Sequence, residues 1–135
     1  MILYTRHRLI TSLIEIYSII LCFIWGGMLL LKGNTFESAK SYAYLNNWGE
    51  AAWSSISMSI GMIQICGLML SFFNMGRELR IFGNFFGIVF WSYISYLSFL
   101  GNPDSHAWTM YLSLGVILCA SLFLYLKTFM EVSKK

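Results

Sequence analysis

Charge is scarce in this chain: of its 135 residues only 11% are Asp, Glu, Lys or Arg, against roughly 25% in an ordinary soluble domain. A water-facing surface cannot be clothed with so few, which excludes a soluble enzyme, and the 58% apolar content excludes a disordered tail. Cysteine occurs three times, as Cys22, Cys66 and Cys119, with no C-x-x-C pair. Neither a redox motif, a zinc site nor a secreted disulfide scaffold follows, and the three read as small packing residues. His7 and His106 are the only histidines, too few and too far apart to converge on a metal, a haem or a quinone, so no cofactor is expected. Nucleophile motifs such as G-x-S-x-G and phosphate loops are missing as well, and no enzyme is expected. The formal charge of +3 is dispersed, without a basic run interleaved with stacking aromatics, which argues against a nucleic acid partner.

What the chain does have is long apolar runs. Leu9–Leu31, Ala51–Phe73, Ile81–Leu100 and Ala107–Leu126 are nearly free of charge, and each has the length of about 20 residues that one helical bilayer crossing needs. The runs are apolar continuously, not on alternate residues, which favours helices over barrel strands. The first is longer than the roughly 7–15 apolar residues of a secretory signal and lacks an A-x-A-like cleavage site, so it reads as a retained span. The expectation is an all-α integral membrane protein of one domain, residues 1–135, folded as an antiparallel four-helix bundle with the lipid bilayer as its first partner.

Lys and Arg in the connections set orientation, because basic segments are retained in the cytoplasm. Arg6, Arg8, Arg77, Arg80, Lys127, Lys134 and Lys135 fall on one side and only Lys32 and Lys40 on the other. Both termini are expected in the cytoplasm, with the bundle in a bacterial or phage-encoded inner membrane. Asn74 to Arg80 reads as a tight basic turn, with Gly76 ending the second helix in a left-handed conformation. In the third connection Pro103 stops the incoming run, and Asp104 or Ser105 caps the next helix. The first connection, Lys32 to about Glu50, reads as a short interfacial helix. Asn34 and Glu37 have capping-box spacing, and Phe36, Tyr42, Tyr44, Leu45 and Trp48 suit a headgroup layer.

Membrane helices associate through small residues and polar contacts, so those residues mark the protein-facing stripes. Thr11, Glu15, Ser18, Cys22 and Gly26 share one face of the first span. Ser57, Gly61, Gln64 and Ser71 do so in the second, with Gly67 beside them. In the third, Gly83 and Gly87 have G-x-x-x-G spacing, flanked by Asn84, Trp91, Ser95 and Ser98; in the fourth the stripe is Gly115 and Cys119. Such stripes either pack the monomer or join subunits, and both outcomes stay open for Gly83–Gly87. Glu15 is the residue most open to a functional reading, since an acid within a span is costly and suggests an ion or proton pathway. Its position six residues past Leu9 also lets it pair with Arg77 or Arg80. Gln64, in the middle of its span, needs a partner on another helix or a polar cavity. The eight methionines suit irregular gaps in a bundle.

Four short spans with one acid, Glu15, in the first resemble the plan of small multidrug-resistance transporters. That resemblance implies proton exchange against a cationic substrate, although the charge bias here is stronger and the first connection longer. The run Trp25-Gly26-Gly27 through Lys32, with Gln64 to Leu70 and Arg77, is similar to small four-span proteins of the DoxX type. Short length and a basic carboxyl tail also resemble small viral membrane-lesion proteins of the holin kind. The sequence therefore carries two functional expectations. One is a non-catalytic bundle associating with itself as a homo-oligomer or with a larger membrane partner, as an accessory, assembly or lesion-forming subunit. The other is a small proton- or cation-coupled transporter using Glu15.

Overall fold

Four long helices, each long and apolar enough to cross a membrane, dominate the computed structural model, which describes residues 2–32, 35–38, 40–73 and 76–132. They are α1 (Ile2–Lys32), α3 (Glu50–Phe72), α4 (Arg77–Gly101) and α5 (Ala107–Val132). A four-residue helix, α2 (Thr35–Ser38), lies in the first connection with two short 3-10 turns, Lys40–Tyr42 and Leu45–Trp48. No strand occurs among the described residues.

The helix ends follow backbone chemistry. Gly49 (φ 76°) and Gly76 (φ 79°, ψ 14°) take positive φ immediately before α3 and α4, a conformation that costs side-chain-bearing residues energy. Gly76 is thus left-handed as the sequence predicts, but it stands at the start of α4 and not at the end of α3, and a Cβ there would collide with Leu70. Beyond α4 the chain extends at Asn102, and the Ser105 hydroxyl accepts the Ala107 N–H at 3.1 Å, capping α5. Two helices run past the predicted spans: α1 begins at Ile2 and α5 continues to Val132, since neither flank contains a Gly or Pro to stop them. Arg77 and Arg80, expected in a turn, instead form the first turn of α4.

The four long helices close a ring in which α1 and α4 each pack against both α3 and α5. Every neighbouring pair is antiparallel. Ser54 and Ser57 of α3 donate to the carbonyls of Gly26 and Cys22 in α1, at 2.7 and 2.8 Å. Gly67 of α3 faces the Arg80 backbone, where a Cβ would come within 2.7 Å, and Ser95 of α4 donates to the Trp108 carbonyl at 2.7 Å. All five glycines expected to pack helices do so inside this one chain. Gly26 faces Ser54 and Met58, Gly61 faces Cys22 and Phe23, Gly83 and Gly87 face Gln64, and Gly115 faces Ser92. Of the two readings open for the Gly83–Gly87 stripe, packing within the monomer is the one seen, since that groove is filled by Gln64 of α3 and Leu118 of α5.

The inward stripes otherwise fall where the sequence puts them, except that Ser71 is only half-buried and Cys119 is exposed; Cys66, read as a small packing residue, is exposed as well. The inner face of α5 is carried by Gly115, Leu118 and Ser121, so one turn of the expected stripe was misplaced by a residue. The first connection is also not one amphipathic helix. It is broken into short turns that fold over the end of the bundle, with Phe36 and Leu45 buried, and the expected Asn34 cap lies outside the described residues. Glu50 Oε1 accepts the Phe36 N–H at 2.6 Å.

Candidate functional site: a buried polar network at the basic end

The bundle interior is chemically divided along its length. The end under the first connection is aromatic. Trp25, Phe36, Phe90 and Trp91 pack edge to face or tilted, and Tyr111 stacks on Trp91 at 5.7 Å. Most polar tips in this cluster are paired: Tyr42 and Tyr111 share a hydroxyl hydrogen bond of 2.7 Å, the Trp25 N–H donates to the Tyr111 hydroxyl at 3.3 Å, and the Trp53 N–H donates to the Leu45 carbonyl at 2.7 Å; the buried Trp91 N–H finds no hydrogen-bond acceptor among the described residues. This latches the connection to α1, α3 and α5.

The opposite end, where α4 begins, is polar. Glu15 of α1 and Arg80 of α4 are 1% and 2% exposed, and the Arg80 Nε–H reaches both carboxylate oxygens, at 2.7 and 2.9 Å. Asn84, one turn further along α4, donates its amide to Glu15 Oε1 at 2.7 Å. The other side of the guanidinium turns to α1, with Nη2 3.1 Å from the Ser12 hydroxyl and 3.4 Å from that of Thr11. Its carbon lies 4.6 Å from the centre of the Tyr125 ring of α5, a cation–π distance. Gln64 of α3 joins from above: its amide donates to the Asn84 side chain and the Gly83 carbonyl, both at 3.4 Å, and its carbonyl accepts the Ser18 hydroxyl at 3.2 Å.

All four long helices contribute to this network, and a buried charge pair needs that many partners. Two isolated charges withdrawn from water cost more than their mutual attraction returns unless further hydrogen bonds satisfy them. Here the carboxylate receives two donor groups and the guanidinium finds two hydroxyls and a ring face. Gly67 and Gly83 make room for it, allowing α3 to approach α4 closely on either side of Arg80.

Of the residues singled out in the sequence, Glu15, Gln64 and Arg80 come together. Arg77 does not: it sits at the mouth of the bundle with its side chain 45% exposed, 3.7 Å from Glu78. Asn84 is a full member of the site that the sequence marked only as stripe. Its spacing of four residues from Arg80 is the available signal. Tyr125 carried none, since an aromatic in an apolar run is unremarkable. The pair that the sequence allowed for Glu15 is thus made with Arg80, and the near-complete burial of both partners keeps solvent from screening it. Among the described residues no group of three or more His, Cys, Asp or Glu converges. No protein-family model, curated protein or solved structure matches the chain, so the resemblances to small multidrug-resistance, DoxX-type and holin-type proteins rest on the residues quoted for them alone.

Proposed function

We propose that the chain is an integral membrane protein with both termini in the cytoplasm that works without catalysis, by associating with itself or with a larger membrane partner as an accessory or assembly subunit. The observation that carries this reading is the state of Glu15. A coupling carboxylate must meet water on each side in turn and exchange its proton or cation, whereas both oxygens of Glu15 are engaged by Arg80 and Asn84 in a site with 1% exposure. The carboxylate is used to tie helices together. What the chain offers outward is an apolar surface on four helices, and this supports a role exercised through contact within the bilayer.

The test is flux. Wild-type protein and Glu15→Gln are reconstituted in proteoliposomes, and pH-gradient-driven uptake or efflux of cations is followed alongside thermal stability. No gradient-driven flux above empty vesicles is expected from either. Robust wild-type transport, abolished in a normally stable Glu15→Gln protein, would defeat this reading in favour of the proton-coupled transporter.

A further inference from the structure

The outer surfaces of the four long helices differ in kind. Among the residues whose side chains are described, the exposed large residues on α1 are almost all aliphatic, among them Leu9, Leu13, Ile20 and Ile24, with Tyr17 the one aromatic, and on α5 they include Met110, Val116 and Ile117, with Phe123 the one aromatic. On α4 the outer face carries six aromatics, Phe82, Phe85, Phe86, Tyr93, Tyr96 and Phe99, each between 43% and 57% exposed. Taken with Val89 and Leu100, the positions 82, 86, 89, 93, 96 and 100 alternate steps of four and three. That 3.5-residue period keeps a seam facing one partner helix along its length.

We infer that this aromatic face of α4 is the self-association surface, joining a second copy of the chain in a parallel two-fold dimer with α4 against α4; the inference rests on the association reading above. Three observations select a second copy over lipid. First, Tyr in lipid-facing positions collects at the membrane boundary, but the rings here run the whole length of α4, and Tyr93 is only about 6 Å beyond Val89 at the helix midpoint. Hydrocarbon offers a phenol at that depth no hydrogen-bond partner, whereas a two-fold axis places the second Tyr93 opposite it. Second, the four half-exposed rings on that seam, of about 200 Å² each, leave roughly 400 Å² to be covered, and Phe85 and Phe99 on its flank add about 200 Å². With Val89 and Leu100 this approaches the about 800 Å² per partner of a stable protein interface. Third, several rings are already held in place, Phe82 and Phe85 against Phe86, Tyr93 against Trp53 and Phe99 against Trp108, so less side-chain freedom remains to be lost on docking. Two copies inserted the same way bring like-numbered rings together, and ring pairs at 4.5–7 Å between centres do not require the close backbone approach that the buried glycines provide elsewhere.

The experiment uses the full chain in liposomes, with subunits counted by single-molecule photobleaching over a range of protein-to-lipid ratios. Oxidative cross-linking is then run in native membranes on Val89→Cys, Ile20→Cys and Val116→Cys, each in a background with Cys66→Ala and Cys119→Ala. A dimer that cross-links through Val89→Cys alone is expected. The double variant Phe86→Leu/Tyr93→Leu, which keeps the face apolar and gives up the Tyr93–Trp53 ring contact, should weaken dimerisation at least tenfold beyond any change in monomer thermal stability, measured alongside, and Phe123→Leu on α5 should leave it unchanged. Monomers at every ratio would overturn the inference and assign the face to lipid. A dimer cross-linking through Ile20→Cys or Val116→Cys would overturn the α4 surface while leaving self-association standing, and transport by a monomer would remove the association reading itself.

Discussion

Neutralising Arg80 isolates the most expensive group in the bundle. Arg80→Gln leaves the Glu15 carboxylate buried with Asn84 as its one remaining donor, at 2.7 Å. Removing one partner of a buried charge pair costs about 3–5 kcal/mol because the other charge stays uncompensated. Glu15→Gln is the milder change. Arg80 keeps the hydroxyls of Ser12 and Thr11 and the Tyr125 ring, and the new amide oxygen still accepts from Asn84, so a loss of about 2–3 kcal/mol is expected, in the upper part of the range for charged hydrogen bonds and above that for neutral ones. The double variant Glu15→Gln/Arg80→Gln carries no buried charge at all. It should be more stable than the sum of the singles implies, by about 2 kcal/mol or more of coupling, within the range for residues that share one network. Reversible unfolding of the four proteins in mixed detergent–lipid micelles, followed by far-UV circular dichroism and by tryptophan fluorescence, supplies the cycle. Singles that each cost under about 1 kcal/mol, the scale of exposed pairs, and that add in the double would refute the claim that Glu15 and Arg80 form one buried unit.

Other parts of the architecture make separate predictions. Gly67→Ala places a Cβ within 2.7 Å of the Arg80 backbone and should destabilise the bundle severely, while Gly27→Ala, with nothing within 4 Å, should be neutral or stabilise by up to about 1 kcal/mol through helix propensity; thermal unfolding of the two, measured side by side, checks this. Gly83→Leu should lower stability at unchanged stoichiometry, because its space is filled by Gln64 of the same chain; dissociation of an oligomer without loss of monomer stability would contradict that placement. Tyr111→Phe removes the shared partner of Tyr42 and Trp25 and should cost about 1–3 kcal/mol through the donor left unpaired, with faster proteolysis within residues 40–48 as the local readout. For orientation, a membrane-impermeant thiol reagent applied to intact cells should label Asn46→Cys or Ser105→Cys and spare Glu78→Cys, in a background with Cys66 and Cys119 replaced; labelling at Glu78→Cys from outside would reverse the assignment.

The four long helices and their inward faces were legible because a membrane span declares itself by composition, and small or polar residues within it have few places to go. Thr11, Glu15, Ser18, Cys22 and Gly26 are all buried on α1 for that reason. The choice between Arg77 and Arg80 was not legible. It depends on where α4 begins, and helix starts blur when a charged turn is itself a good helix former, as Arg-Glu-Leu-Arg is. The first connection misled for a different reason: its aromatics look interfacial by composition, but Phe36 and Leu45 are taken up by the open end of the bundle, a demand set by tertiary packing. Cys119 was placed inside on helical spacing from Gly115 alone, and with only two marker residues on α5 a rotation of one position could not be detected.

The separation of Glu15 and Arg80 along the chain, 65 residues, also has a meaning in time. For a chain inserted as it is synthesised, at about 5–20 residues per second, the acid waits roughly 3 to 13 seconds before its base exists. During that interval α1 must remain in place with an unanswered carboxylate, which is tolerable only because Glu15 lies within two turns of Leu9, where it can still reach water at the membrane edge. In a chain inserted in that order, the arrival of α4 would withdraw the acid from water, and the pairing would then act as a ratchet on assembly: the first helix stays provisional until the third span is made.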